Sequence, residues 1–97
     1  MGLYHYKPKI GFVMYIKFRK SIYAKQHTAL RDFWIDRRKE LNLSQAELAN
    51  KLNVIQSLIG KIETGDRRLD IVEMIDYAEA LEVDPHTVID LIINQKP

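Results

Sequence analysis

Residues 56–63 carry side chains whose types and spacing could form hydrogen bonds to nucleic-acid bases. On a helix with about 100° per residue, Gln56, Ser57 and Lys61 share one arc. The opposite arc is apolar and consists of Leu58, Ile59 and Ile62. An amide, a hydroxyl and an ammonium group can each bond to base edges in the major groove of DNA. A polar arc is also typical of an ordinary solvated helix face. Whether this arc contacts DNA therefore depends on the elements around it.

Gly60 lies in the middle of this polar arc. A glycine inside a helix costs about 1 kcal/mol of stability relative to alanine. Such a residue is useful where another molecule must approach the backbone closely. The pattern therefore favours close contact between this face and a binding partner.

The residues around this segment predict an all-α bundle of five helices. Apolar residues recur at helical spacing from residue 28 onward, and turn-forming residues separate the periodic stretches. The expected helices run from Thr28 to Leu41, Ser44 to Leu52, Gln56 to Glu63, Asp70 to Leu81 and Pro85 to Ile93. The second and third are short and only about three residues apart, which is the arrangement of a helix-turn-helix.

Capping residues indicate where these helices begin and end. Ser44 and Glu47 have the spacing of a capping box, in which each side chain accepts from the backbone N–H of the other residue. Asp70 and Glu73 repeat this spacing, and Asp84 precedes a proline that suits the first helical position. Left-handed C-terminal stops are expected at two positions, Asn53 and Gly65.

The composition is that of one soluble domain with an uneven distribution of charge. The 97 residues are 46% hydrophobic and include no cysteine, which excludes disulfide scaffolds, thiolate zinc sites and cysteine nucleophiles. Residues 1–26 contain six basic residues and no acidic one, whereas residues 69–97 contain one basic and seven acidic residues. This polarity predicts one end that faces a polyanion and another that faces solvent.

No pattern typical of catalysis, metal binding or membrane insertion accompanies these features. His5, His27 and His86 have no metal-ligand spacing, and no serine stands in a nucleophile setting with a histidine and an acid. The apolar stretch from Ile10 to Ile16 has about seven residues, whereas a membrane span needs about 20. We therefore expect a cytoplasmic protein that is not an enzyme and uses no cofactor or metal.

Residues 1–26 are expected to form a basic N-terminal arm or extension ahead of a helical domain at 27–97. Residues 12–18 alternate weakly between apolar and polar side chains, which suits a short strand or an extended arm. Met14 could serve as the natural start. The arm could lie along DNA, or it could pack on the domain or pair with another subunit, and the sequence favours neither.

Two motifs cover the predicted helix-turn-helix. They are Ser-Gln-Ala-Glu-Leu-Ala at 44–49 and Gln-Ser-Leu-Ile-Gly-Lys-Ile-Glu-Thr-Gly at 56–65. With these motifs at this spacing, residues 28–93 resemble the phage-repressor and Cro-like helix-turn-helix family, also called the XRE type. Members of that family are transcriptional regulators, so the resemblance implies a domain that binds double-stranded DNA.

The resemblance implies a role for each matching residue. Gln56, Ser57 and Lys61 would contact bases from the recognition helix. The residues implied to contact phosphates are Gln45, Thr64, Arg67 and Arg68. Arg38 and Glu63 would form a partly buried ion pair between the first and third helices. Loss of either partner would leave the other charge without a counter-charge.

The sequence departs from the family pattern at three positions. Ile55 stands where a serine or threonine usually caps the recognition helix, and it could contact a thymine methyl group instead. Gly60 replaces a more usual serine. Arg37 replaces an apolar residue of the first helix, and we expect Trp34 to fill the space. These changes affect which DNA sequence the domain would bind, and they leave the predicted fold unchanged.

The fifth helix is apolar over more of its circumference than packing on a single core requires. Its apolar residues span about 200°, whereas one core needs an arc of about 100°. The surplus predicts a homodimer interface at Val88, Ile89, Ile92 and Ile93. A dimer would present two recognition helices to half-sites about 34 Å apart. The alternative is that these residues fold back on their own core.

Together these features predict a sequence-specific DNA-binding regulator, expected to act as a repressor and as a homodimer on a near-palindromic operator. Two alternatives keep the same fold. The chain could be the antitoxin of a toxin–antitoxin pair, with the basic arm or the fifth helix binding the toxin. It could also be a protein-interaction module, in which case neither Arg67→Ala nor Lys61→Ala would alter DNA binding.

Overall fold

The computed structural model describes residues 25–95, and these residues form five α-helices. The helices are α1 (Lys25–Glu40), α2 (Gln45–Leu52), α3 (Gln56–Thr64), α4 (Ile71–Ala80) and α5 (Pro85–Asn94). No strand occurs in this part of the chain, so the predicted all-α class is confirmed. The end of the expected arm, from Lys25, is helical and belongs to α1. The expected strand at 12–18 and the start at Met14 lie outside the described residues.

Local hydrogen bonds set the first turns of α2 and α4. Ser44 Oγ accepts from the backbone N–H of Glu47 at 3.0 Å, and the N–H of Ser44 donates to Glu47 Oε1 at 2.8 Å. The same reciprocal pair joins Asp70 and Glu73, at 2.7 and 3.0 Å. Each pair satisfies N–H groups that the start of a helix leaves without a partner, so both helices begin where the capping boxes predict.

The turn between α2 and α3 is tight, and it fixes how the two helices meet. Asn53 ends α2 in the left-handed conformation, with a φ of 61°. Ile55 precedes α3 in an extended conformation and offers no side-chain cap. Gly65 ends α3 with a φ of 89°, where a side chain would be strained. The nine residues of α3 therefore depend on packing more than on their own caps.

The core lies where α1 meets α3 and α5, and where α4 meets α2 and α5. Its largest fully buried side chains are Trp34, Tyr77, Leu48, Ile59, Leu81 and Val88. The rings of Trp34 and Tyr77 pack with their centroids 4.8 Å apart and their planes tilted by 58°. This pair joins α1 to α4 and fills the centre of the bundle.

Arg37 closes the C-terminus of α4 from the side of α1. Its Nε donates to the carbonyl of Leu81 at 2.9 Å, and its Nη2 donates to the carbonyl of Glu82 at 3.1 Å. Glu82 has a φ of 58°, so the chain turns sharply here and leaves these carbonyls beyond the helix. The arginine that replaces an apolar residue therefore acts as a long-range cap, while Trp34 occupies the core beside it.

The hydroxyl group of Tyr77 is buried without a hydrogen-bond partner in the described part of the chain. Burial, together with the nearby carboxylate of Glu63, raises the pKa of this phenol well above its ordinary value. An unpaired buried hydroxyl costs about 1–3 kcal/mol of stability.

We expect Tyr77→Phe to raise the free energy of unfolding by about 1 kcal/mol, because it removes the unpaired hydroxyl and keeps the ring on Trp34. Urea unfolding, followed by Trp34 fluorescence, measures the change. Tyr77→Leu is the matched control, and it should destabilise the fold because the ring contact is lost. A loss of stability in Tyr77→Phe would show that the hydroxyl is paired in solution.

Candidate nucleic-acid interface

The outward face of α3 is polar and the inward face is buried. Gln56, Ser57 and Lys61 are all exposed. The inward face includes Ile59 and Ile62, both in the core. The apolar side of α3 thus anchors the helix, and the amide, the hydroxyl and the ammonium group point away from the bundle.

Ile55 extends this face beyond the first turn of α3. Its side chain is 71% exposed, and no side chain caps the helix at this position. The uncapped N–H groups of the first turn and the exposed aliphatic side chain therefore lie together at one end of the polar arc.

Gly60 is not required by packing within the chain. A Cβ added there would meet only Gln45 Oε1, at 3.8 Å, which is an ordinary van der Waals distance. The bare backbone at this position therefore leaves room on the outside of α3, as the sequence predicts for a close approach.

Arg38 and Glu63 form a two-point ion pair between α1 and α3. Arg38 Nε donates to Glu63 Oε2 at 2.7 Å, and Nη2 donates to Oε1 at 3.1 Å. The side chains are only 12% and 6% exposed. Arg38 Nη1 also donates to the carbonyl of Leu43 at 2.8 Å, so the guanidinium holds the α1–α2 turn as well. The hydrogen bonds that Arg38 donates to Glu63 raise the pKa of this guanidinium above its ordinary value.

Gln45 belongs to the same hydrogen-bonded network. Its Nε2 donates to Glu63 Oε1 at 2.9 Å, which ties the first turn of α2 to α3. The sequence motif implies only a phosphate contact for Gln45, and its spacing gives no sign of the bond to Glu63, because the partners are 18 residues apart. The amide therefore orients the two helices of the helix-turn-helix relative to each other.

The loop between α3 and α4 is ordered by Arg67. Its Nη1 and Nη2 donate to the two carboxylate oxygens of Glu73, each at 2.8 Å, and Nη1 also donates to the carbonyl of Arg68 at 2.9 Å. The pair with Arg67 lowers the pKa of Glu73 to about 2. Arg67 thus shapes the loop with its charge largely compensated, which the spacing of the sequence does not indicate.

Thr64 and Arg68 flank this loop on exposed positions. The hydroxyl of Thr64 donates to the carbonyl of Lys61 at 3.2 Å and so closes the last turn of α3. The loop therefore brings Thr64 and Arg68 to the surface close to the C-terminus of the polar arc.

The comparisons with known proteins bear on this arrangement. A family model described as helix-turn-helix matches residues 35–88. The chain belongs to the XRE-type helix-turn-helix family. An XRE-family like protein from Pseudomonas syringae pv. tomato has a similar solved structure, with 30% sequence identity and a TM-score of 0.73, and the match covers 81% of this chain and 96% of that one. No curated protein matches the chain.

Members of the XRE family are DNA-binding transcriptional regulators, and the resemblance inferred from the two motifs is confirmed at the level of the family. The matched residues run from α1 to α5 and include the whole helix-turn-helix. The polar face of α3 belongs to the second helix of this helix-turn-helix.

Val88, which the sequence assigns to a dimer interface, lies in the core of the bundle. Val88 is fully buried within the chain, so it packs in the core and cannot contact a second copy. Ile92 is half-buried, whereas Ile89 and Ile93 are 37% and 51% exposed. The exposed apolar face of α5 is thus narrower than the helical periodicity predicts.

No group of His, Cys, Asp or Glu among residues 25–95 could hold a metal ion. None of the helices in that part of the XRE-type chain has the length and hydropathy to span a bilayer.

We expect Glu63→Gln to lower the free energy of unfolding by about 3 kcal/mol, because Arg38 would stay buried without its counter-charge. Urea unfolding measures the change. Glu40→Gln is the control, since its pair with Arg37 is largely exposed, and it should cost less than about 1 kcal/mol. Equal losses in the two variants would contradict the structural role of the buried pair.

Proposed function

We propose that this XRE-family regulator is a sequence-specific repressor that binds a near-palindromic operator as a homodimer. The observation that carries the proposal is the exposed arc of Gln56, Ser57 and Lys61 on a helix whose back is buried through Ile59 and Ile62. A short helix held in this way can enter the major groove without leaving the bundle. Occupation of an operator would then exclude the transcription machinery.

Each side chain of the arc suits a different base edge. Gln56 can bond to N6 and N7 of adenine, and Lys61 can bond to O6 and N7 of guanine. Ser57 suits several bases, and the exposed Ile55 suits a thymine methyl group. Gly60 allows the backbone to approach the floor of the groove.

Phosphate contacts would fix the position of the helix in the groove. Thr64 and Arg68 are exposed at and after the C-terminus of α3, and the first turn of α2 contacts α3 through Gln45 and Glu63. Gln45 keeps its amide nitrogen on Glu63, so its carbonyl oxygen stays with α3 and the N–H groups of α2 would meet the phosphate. Arg67 would act through the loop that it orders with Glu73.

We further propose that Ile89, Ile92 and Ile93 of α5 form the homodimer interface. The exposure of two of these aliphatic residues supports this assignment, because exposed aliphatic clusters mark contact surfaces. A dimer would also double the number of base contacts across two half-sites.

Selection of binding sites from random duplexes tests base reading. The wild-type chain should enrich one motif, and Lys61→Ala should relax the preference for guanine at one position of each half-site, by about 2 kcal/mol. Lys51→Ala is the matched control, because Lys51 is paired with Glu82 outside the recognition face, and it should select the wild-type motif. The same motif from Lys61→Ala, or no motif at all, would refute the proposal.

Sedimentation of the full chain tests the dimer. Ile93→Asp should shift the protein from dimer to monomer, because it places a charge in the interface, and it should spare the fold since the side chain is 51% exposed. Ile71→Asp on α4, at a residue that is 62% exposed, should remain dimeric. A wild-type monomer, or a dimer in Ile93→Asp, would exclude this interface.

A further inference from the structure

One side of α4 is aliphatic and acidic at the same time, and it faces away from the core. At about 100° per residue, five exposed residues share about 140° of the helix circumference. They are Ile71, Val72, Ile75, Asp76 and Glu79. The opposite arc of α4 carries Met74, Tyr77 and Ala78, which are buried. The five exposed residues are called the outer face of α4.

The aliphatic part of the outer face is a contiguous patch. Val72 is 64% exposed, and Ile71 and Ile75 are also large exposed hydrophobic side chains. Ile71 and Ile75 are four residues apart, so their Cβ atoms are neighbours about 5–6 Å apart on the helix surface. A single exposed aliphatic side chain is ordinary, whereas several together are typical of a contact surface.

The charge of the outer face is negative. Helix α4 contains three acidic residues and no basic one. Glu73 lies outside this face and is paired with Arg67, whereas Asp76 and Glu79 form no ion pair with another residue of the range 25–95. The outer face therefore suits a partner that is both apolar and cationic.

This charge argues against two other occupants of the face. A second copy of α4 packed on the first would bring the carboxylates of Asp76 and Glu79 from both copies together, and juxtaposed like charges oppose association. The phosphates of DNA would be repelled for the same reason. The occupant must therefore carry positive charge.

Residues 14–24 of the same chain have this chemistry. Met14, Ile16 and Phe18 alternate with polar side chains that include Lys17 and Arg19, and no acidic residue occurs in the segment. In an extended chain, alternate side chains lie on one side about 6.6 Å apart. This spacing is close to that of neighbouring side chains along the outer face of α4.

The position of α1 brings this segment within reach of α4. Residue 24 precedes Lys25, where α1 begins. His27, in the first turn of α1, lines a groove together with Leu69, and α4 begins two residues after Leu69, at Ile71. The seven residues from Phe18 to Lys25 can span up to about 23 Å, whereas α4 is about 15 Å long.

We infer that the outer face of α4 binds residues 14–24 of the same chain. The apolar side of the segment packs on Ile71, Val72 and Ile75, and its cations face Asp76 and Glu79. The aliphatic contacts supply most of the affinity, since exposed ion pairs contribute little and mainly select a basic partner.

This contact goes beyond the proposed function and does not depend on DNA. It assigns the basic arm to one of the two roles that the sequence leaves open. While the segment is bound to α4, its positive charge is compensated by the carboxylates of the outer face and is not offered to a polyanion.

A spin label in the full chain, without DNA, tests the contact. The chain has no cysteine, so Tyr15→Cys carries a single nitroxide, ten residues before Lys25. Attachment to α1 alone does not hold a label at that distance against α4. The nitroxide should broaden the backbone amide signals of residues 71–79 in the NMR spectrum. Sharp signals from those residues would overturn the inference.

A second substitution in the spin-labelled chain tests the outer face itself. Val72→Lys should restore the signals of residues 71–79, because it removes an aliphatic contact and opposes a cationic segment with a cation. It should spare the fold, since Val72 is 64% exposed. Ile55→Lys is the matched control at a 71% exposed aliphatic residue beside α3, and the broadening should persist in it. Broadening that survives Val72→Lys would contradict this docking surface.

Mixed samples distinguish the same chain from a second copy. A spin-labelled chain without isotope is mixed with an isotope-labelled chain that has no nitroxide. Docking within one chain predicts sharp α4 signals in this mixture, and broadened signals would assign the face to the segment of a second copy instead. Because no DNA is present, failure of this inference leaves the proposed function standing, and loss of base reading in Lys61→Ala leaves this inference standing.

Discussion

The ion pair between Arg38 and Glu63 is the interaction on which the position of α3 and of its exposed polar face depends. Helix α3 has nine residues and no side-chain N-cap, and a helix of that length is unstable in isolation. The carboxylate of Glu63 receives hydrogen bonds from α1 and from Gln45 on α2, while the guanidinium also holds the carbonyl of Leu43. Buried pairs of this kind contribute little net stability compared with apolar packing, but they fix one arrangement because the alternatives leave a charge unpaired.

The basic residues around that ion pair differ in the groups to which they are hydrogen-bonded. Arg67 is bound to Glu73 by two hydrogen bonds and Arg37 is bound to carbonyls at the end of α4, so both serve the fold. His27 and Arg31 lie beside the loop between α3 and α4, where burial and the charges of Arg68 and Arg31 lower the pKa of the His27 imidazole. Basic residues of similar appearance in the sequence therefore differ in role: Arg37 and Arg67 hold a helix end and a loop, whereas Lys61 is exposed on the outward face of α3.

The sequence was sufficient for the features that depend on near neighbours. The capping boxes at Ser44 and Asp70 involve residues three apart, so the starts of α2 and α4 were predictable, as was the exposed arc of α3. The contacts of Arg37 with Leu81 and of Gln45 with Glu63 span 44 and 18 residues, and no local pattern encodes them. The burial of Val88 was not predictable either. The apolar pattern of α5 includes this residue but does not say which of the apolar residues face the core.

The central claim is that the polar face of α3 lies against the bases of duplex DNA. An NMR titration of the labelled chain with a duplex containing its selected site tests this most directly. The backbone amides of residues 55–61 and the side-chain amide of Gln56 should shift most, with smaller changes in the first turn of α2 and in the loop after α3. Shifts confined to α4 and α5, with an unchanged Gln56 amide, would contradict it.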